Sequence, residues 1–199
     1  MRRSPTRCGL LVLILAAWPL LTGADAPTTE YADPQYRFTF RFPADWERQT
    51  LPTPGEGGTV RLAARSTARP IFVLAVVTPM ARAITREDVE RHPDRNALVE
   101  ELIRLTIDRV YGKMSRDLSA SRMVVDETRH RPFDAGLAFS IQTTHATSEG
   151  PTTVAGTHVI PFGEAYAITL LVVERGGGAA TGLSETRRRL LDSLRVHAR

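Results

Sequence analysis

Ile71-Phe72-Val73-Leu74-Ala75-Val76-Val77 carries an apolar side chain at every position, and Ala165 to Val173 (AYAITLLVV) does so at nearly every one. Successive side chains of a strand point to opposite faces, so a strand apolar on both faces must be covered above and below. Helices are available to supply the cover. Arg95 to Tyr111 places Leu98, Val99, Leu102, Ile103, Leu105, Ile107 and Val110 on a broad face, with Glu100, Glu101, Arg104 and Asp108 opposite. That is the stripe of a helix packed on a core, and Gly112 is its expected stop. Just upstream, Thr85 and Asp88 have the spacing of a capping box. Ser184 to Val196 sets Leu190, Leu191 and Leu194 at helical spacing, with Leu183 before them, behind an Arg187-Arg188-Arg189 run.

Between the two helical segments lies a meander of Met123 to Arg129, Leu137 to Thr147, Thr152 to Ile160 and Ala165 to Val173. Pro132 to Gly136, Glu149-Gly150-Pro151 and Pro161-Phe162-Gly163 punctuate it, and short turns between successive strands make antiparallel hairpins. Before the first helix, Tyr36-Arg37-Phe38-Thr39-Phe40-Arg41-Phe42 alternates aromatic and polar residues, the period of a strand with one buried face. Pro43-Ala44-Asp45 turns the chain, Trp46 opens a second extended piece to Leu51, and Leu51 to Gly58 is a loop by composition. Val60 to Ala64 reads as a further strand. The fold class expected is α+β: an antiparallel β-sheet with helices packed on both faces, an α/β/α sandwich.

The N-terminus has the zones of a secretory signal. Arg2, Arg3 and Arg7 precede an apolar run from Gly9 to Leu21. A helix of that run would reach about 20 Å, short of the ~30 Å hydrocarbon layer, so the mature form is expected to carry no permanent membrane span. Ala24-Asp25-Ala26 offers one cleavage site, but Pro27 would then adjoin the scissile bond, so cleavage is expected after Ala24. The expected organisation is residues 1–24 signal peptide, 25–34 flexible leader and 35–199 a single globular domain, placed in the periplasm or outside the cell. The formal charge of +4 rests partly on the three leading arginines. Without them the chain is nearly neutral, which gives no ground for nucleic-acid binding. The one cysteine, Cys8, lies ahead of the apolar run and would depart with it. Disulfides, thiolate metal sites and cysteine nucleophiles are thereby excluded from the mature form.

Chemistry-bearing motifs are scarce. His92, His130, His145, His158 and His197 include no pair at i, i+4. If Ser148 pairs with Pro151 across its hairpin, His145 faces Val154 and His158 faces Ile141, too far apart along the ladder to share a metal. Ser140 and Ser148 lack the flanking glycines of a nucleophile elbow, and neither Gly55 to Gly58 nor Gly176 to Gly178 is followed by the Lys-Ser/Thr of a phosphate loop. Glu100-Glu101 and Glu87-Asp88 read as solvated helix surface. No cofactor and no metal is expected. One polar cluster stands out, Asp126-Glu127-Thr128-Arg129-His130-Arg131. It is either an exposed strand end or a contact patch in which Arg129, His130 and Arg131 meet an anionic or carboxylate-bearing partner, with alternation placing Arg129, Arg131 and Glu127 on one face. The Arg187 to Arg189 run reads as a solvated helix face.

Tyr36-x-Phe38-x-Phe40-x-Phe42-Pro43-x-x-Trp46, followed by strands, a long helix, an antiparallel meander and a terminal helix with Leu190-Leu191-Asp192-Ser193-Leu194, resembles the PsbP-like superfamily. That superfamily includes the photosystem II extrinsic subunit and DcrB-like bacterial exported proteins. The resemblance implies an α/β/α sandwich used as a binding or assembly module, with no shared catalytic residues. Phe38, Phe40 and Phe42 would be core and Trp46 an aromatic anchor. The function expected is a non-enzymatic exported binding or accessory protein whose partner is another envelope protein. The alternatives are an exported hydrolase-type enzyme and a small carrier of apolar ligands.

Overall fold

The computed structural model describes residues 27–51, 58–131, 133–176 and 181–197, with side chains from 185 onward in the last stretch. The expected signal peptide and its cleavage site, most of the loop before Gly58, and Leu183 with its contacts lie outside the described residues.

Among the described residues, ten strands form two antiparallel sheets. The larger has the order β3(Glu47–Arg48), β4(Thr59–Arg65), β5(Ile71–Pro79), β9(Tyr166–Arg175), β8(Gly150–Pro161), β7(Gly136–Thr147), β6(Arg122–Arg131). The smaller joins β1(Thr28–Asp33), β2(Phe38–Pro43) and β10(Arg195–Val196). Both all-apolar stretches are central neighbours, β5 and β9, and each feeds two clusters. Ile71, Val73, Ala75 and Val77 pack with Ile168, Leu170, Val172, Phe38, Phe40, Phe42, Trp46, Leu190 and Leu194. Phe72 and Leu74 turn the other way, with Leu171, Val173, Val99, Ile103, Tyr111 and Phe139. The alternation is what two-sided burial requires.

The layers differ in kind. One face of the large sheet lies under α1(Arg86–Glu90) and α2(Arg95–Thr106). The other is covered mainly by the small sheet, whose phenylalanines point inward, with α4(Thr181–Asp192) beside it. A single sheet between helices was expected; the aromatic strand instead builds a second sheet, because its apolar face alone is enough to form a layer.

Thr85 and Asp88 form the expected capping box at the start of α1, and Asp94 caps α2 by accepting the Ala97 N–H at 3.0 Å. The expected stop at Gly112 does not occur. A π-helical turn, Ile107–Tyr111, and then α3(Gly112–Asp117) carry the helix on. Gly112 keeps helical dihedrals (φ −63°), while the left-handed residue that ends the helix is Ser119 (φ 50°).

Residues 28–33, within the expected flexible leader, are strand β1, paired with β2 from Thr28↔Pro43 to Asp33↔Phe38. A buried ion pair holds them there. The Asp33 carboxylate, wholly buried, accepts from Arg61 Nε at 2.6 Å, from the Gln35 and Tyr36 N–H groups at 3.0 Å and from the Tyr31 hydroxyl at 3.2 Å. Burial pushes this carboxyl up, but the Arg61 and Tyr36 hydrogen bonds outweigh it and hold the group below its ordinary value.

The hairpin register also differs from expectation. Thr147 pairs with Gly150, so His145 stands opposite Thr152 and His158 opposite Phe139. Ser148 and Glu149 stand between this pair, and the strand residue that follows them, Gly150, takes the left-handed step at φ 106°.

Candidate functional site

α4 lies over β9 and β8. Leu190, with Leu194 just past the helix end, anchors it in the core, and Arg187 Nη1 bonds Glu174 Oε2 on β9 at 2.9 Å, both side chains largely out of water. Past its edge, no helix among the described residues covers the same face of the large sheet over β7 and β6. The result is a groove of about 470 Å³. Its floor is Ser140 and Gln142 of β7 with Ala155 and Thr157 of β8; its walls are Arg187, Arg188, Leu191 and Asp192 of α4 and Glu127, Arg129 and Arg131 of β6.

A β-bulge aims β6 into this groove. Val125 pairs with Thr143, yet Glu127 pairs with the next residue, Gln142, leaving Asp126 as the extra residue. Before the bulge, Met123 and Val125 oppose His145 and Thr143; after it, Thr128 and His130 oppose Ile141 and Phe139. The face that β6 shares with the helical layer thus changes from odd to even residue numbers. Glu127, Arg129 and Arg131 are thereby turned into the groove, opposite Gln142, Ser140 and Ala138.

All three candidate residues of the strand border the groove, but in different ways. Arg131 spans it, with Nη1 donating to Thr157 Oγ1 at 2.9 Å and Nη2 to Asp192 Oδ1 at 2.5 Å. Arg129 pairs with Glu127. His130 opposes Phe139, a member of the helix-side cluster, so its ring belongs to the other face. Ser140 and His130 are therefore on opposite sides of the sheet and form no nucleophile–base pair. The helical arginine run, read from sequence as solvated surface, divides in function. Arg187 is the buried anchor just described. Arg188 lies exposed on the groove wall, bonded to Glu185, whose carboxyl Arg189 first and then Arg188 hold below its ordinary value. Four arginines and two carboxylates, Glu127 and Asp192, line the groove, and Glu174 and Glu185 behind its wall pair Arg187 and Arg188, so each guanidinium already holds a carboxylate and would meet new carboxylate or phosphate oxygens by exchange.

A second polar group lies beneath the helical layer. The Tyr111 hydroxyl donates to Ile141 O at 3.1 Å and stands 3.0 Å from His158 Nε2, while His158 Nδ1 stands 3.0 Å from Thr169 Oγ1. With the tyrosine hydrogen on Ile141 O, the ring carries its proton on Nε2 and accepts from Thr169. Burial drives the His158 pKa down to about 3 and pushes the Tyr111 phenol well above its usual value. His145 is also buried; its Nε2 meets Thr143 Oγ1 at 2.8 Å, and its Nδ1 has no partner. Thr143 gives its hydrogen to Val154 O, so His145 is protonated on Nε2 and the orphan is a lone pair, less costly to leave than a donor. Burial lowers its pKa against a smaller opposing pull from Asp126. Both histidines are neutral members of the core. Sequence reading missed the Tyr111 contact, whose one trace is His158 inside the otherwise apolar and small-residue run Val154 to Ile160.

Among the described residues, no three His, Cys, Asp or Glu side chains are arranged to hold a metal ion, and no helix is long and apolar enough to cross a membrane.

No protein-family model matches the sequence, and a search of curated proteins finds no match. Solved structures do match. The cyanobacterial PsbP (CyanoP) of Synechocystis sp. PCC 6803 superposes with a TM-score of 0.61 at 10% identity, covering 88% of this chain and 96% of that one. The Ran-binding protein Mog1p of Saccharomyces cerevisiae gives 0.47 at 8% identity, over 87% and 97% of the two chains. LpqN of Mycobacterium tuberculosis, described as involved in cell envelope biogenesis, gives 0.42 at 11% identity, over 88% and 87%. The chain has the PsbP-like fold.

Proposed function

We propose that this chain is an exported, non-enzymatic accessory protein of the cell envelope. It contacts an anionic or carboxylate-bearing protein partner through the groove between α4 and β6, using Arg129, Arg131 and Arg188, with His130 at its border. In this reading α2 and α4 serve opposite faces of the large sheet; α3 carries the helical layer on to β6, whereas α4 lies over β9 and β8. Export rests on the Arg2 to Leu21 signal pattern, and the PsbP-like fold is the frame.

The observation that carries the reading is the convergence of two arginine groups, far apart in sequence, on one open groove with a neutral polar floor. An apolar-ligand carrier calls for an apolar enclosure, whereas this cavity is walled by Arg, Glu and Asp. Hydrolytic chemistry calls for a base within reach of a nucleophile, and the sheet separates Ser140 from His130.

The test is a photo-crosslinking residue at Gln142 on the groove floor, in cells exporting the protein. One adduct is expected, and it disappears in the Arg129→Glu/Arg188→Glu variant, whose melting temperature stays near wild type. An adduct that survives the charge reversal, or forms equally from a crosslinker at Arg69, removes the groove as the contact site.

A further inference from the structure

β6 is the edge of the large sheet, and among the described residues its backbone pairs with β7 alone. It is ten residues long and exposed along nearly its whole length, including Val124 and Val125 at 41% each. An unpaired edge of this kind is a template for another strand unless something blocks it. The bulge at Asp126 interrupts the first half. The second half, Glu127 to Arg131, runs on regularly against β7.

On that half the arginines alternate. Arg129 and Arg131 stand two residues apart, about 6.8 Å along a strand at ~3.4 Å per residue. Their guanidinium groups do not converge on one point: Arg129 is bonded to Glu127, and Arg131 to Asp192 and Thr157. Two cationic groups at strand spacing, each already holding a carboxylate, match two acidic side chains at i and i+2 of an extended chain better than one small anion. Opposite charges facing each other across neighbouring strands are mutually stabilising, and an added strand places alternate side chains on the groove face.

Resting on the groove reading above, we infer that the partner enters as an extended acidic segment of another protein, pairing its backbone with the free edge of β6 at Glu127 to Arg131. Acidic side chains at alternate positions lie over Arg129 and Arg131 and take the places of Glu127 and Asp192 as their counter-ions. The exposed Val124 and Val125 continue the edge with an apolar end for the segment.

The test uses the full chain and a fluorescent Val-Asp-Val-Asp-Val-Asp peptide, two copies N-methylated at alternate amides in the two possible registers, and citrate as a small carboxylate. The parent peptide is expected to bind, one methylated copy to lose on the order of tenfold or more, and Arg129→Ala to lose about tenfold, the effect of one charge-assisted hydrogen bond. Glu127→Gln, which frees Arg129, is expected to strengthen binding severalfold. Parent and both methylated copies binding alike overturns the edge pairing; so does citrate binding without the peptide. In both cases the groove reading stands if Arg129→Ala still weakens what binds. Neither peptide nor citrate binding, or binding indifferent to Arg129→Ala, overturns both.

Discussion

The hydroxyl of Tyr111 reaches the ring of His158 at 3.0 Å through a gap that exists because residue 156 has no side chain. A Cβ on Gly156 would lie 2.5 Å from that hydroxyl and 2.7 Å from Leu171 Cδ2. Tyr111 is the last residue of the π-helical turn and is fully buried there.

Gly156→Ala is therefore expected to destabilise by about 1–3 kcal/mol, the usual range for overpacking. Tyr111→Phe removes the partner of the buried His158 N–H and should cost a similar ~1–3 kcal/mol. Combined, the two should cost less than their sum, since the alanine methyl takes the space the hydroxyl vacates. Urea melts of the four proteins measure the coupling; strict additivity would mean that residue 156 and the phenol do not compete for the same space.

The acid limb of stability should carry the signature of His158. Its pKa falls from an ordinary 6.5 to about 3 in the folded chain, so between those values the unfolded state binds the extra proton. Stability is complete above about pH 6.5 and is lost as the pH falls towards 3, at about 1.4 kcal/mol per unit, several kcal/mol in all. His145, also lowered, contributes with the same sign. Denaturant midpoints for His158→Gln across this range should fall less steeply with acid than those of wild type. Equal slopes would place the titration elsewhere.

Asp33→Asn is expected to cost about 2–3 kcal/mol, toward the low side for a broken buried pair because Arg61 is partly exposed. The loss should be local. Amide exchange in residues 28–33 should quicken before that of β5 or β9. In wild type the depressed Asp33 pKa keeps this contribution intact above about pH 3.8 and withdraws it only below, after most of the histidine limb has passed. Uniform exchange across the sheet in the variant would mean that β1 is held by something other than this carboxylate.

Neighbouring arginines of α4 should behave oppositely. Arg187→Ala leaves Glu174, 3% exposed, without its cation and is expected to cost about 3 kcal/mol. Arg188→Ala removes an exposed pair and should stay within about 0.5 kcal/mol. Thermal melts distinguish them; similar losses at both positions would contradict the division of the run into anchor and groove wall.

Hydrophobic periodicity told most of the layering from residues alone. The unbroken apolar runs of β5 and β9, the alternating phenylalanines of β2 and the stripe of α2 each report how many faces are buried, and burial repeats with the period of the local backbone. Arg129 and Arg131 were legible as a shared face by the same rule. Only tertiary structure decided which face that was. A single extra residue at Asp126 reverses the parity of β6, and a bulge leaves no periodic trace in a strand already exposed on both sides. The hairpin register of His145 and His158 was likewise settled by where the turn falls, with Ser148 and Glu149 between Thr147 and Gly150. Arg187 beside Glu174, Arg131 beside Asp192 and Arg61 beside Asp33 join positions 13, 61 and 28 residues apart. Such pairings depend on how strands and helix meet in space, so a charged residue that anchors the core and one that faces water read alike along the chain.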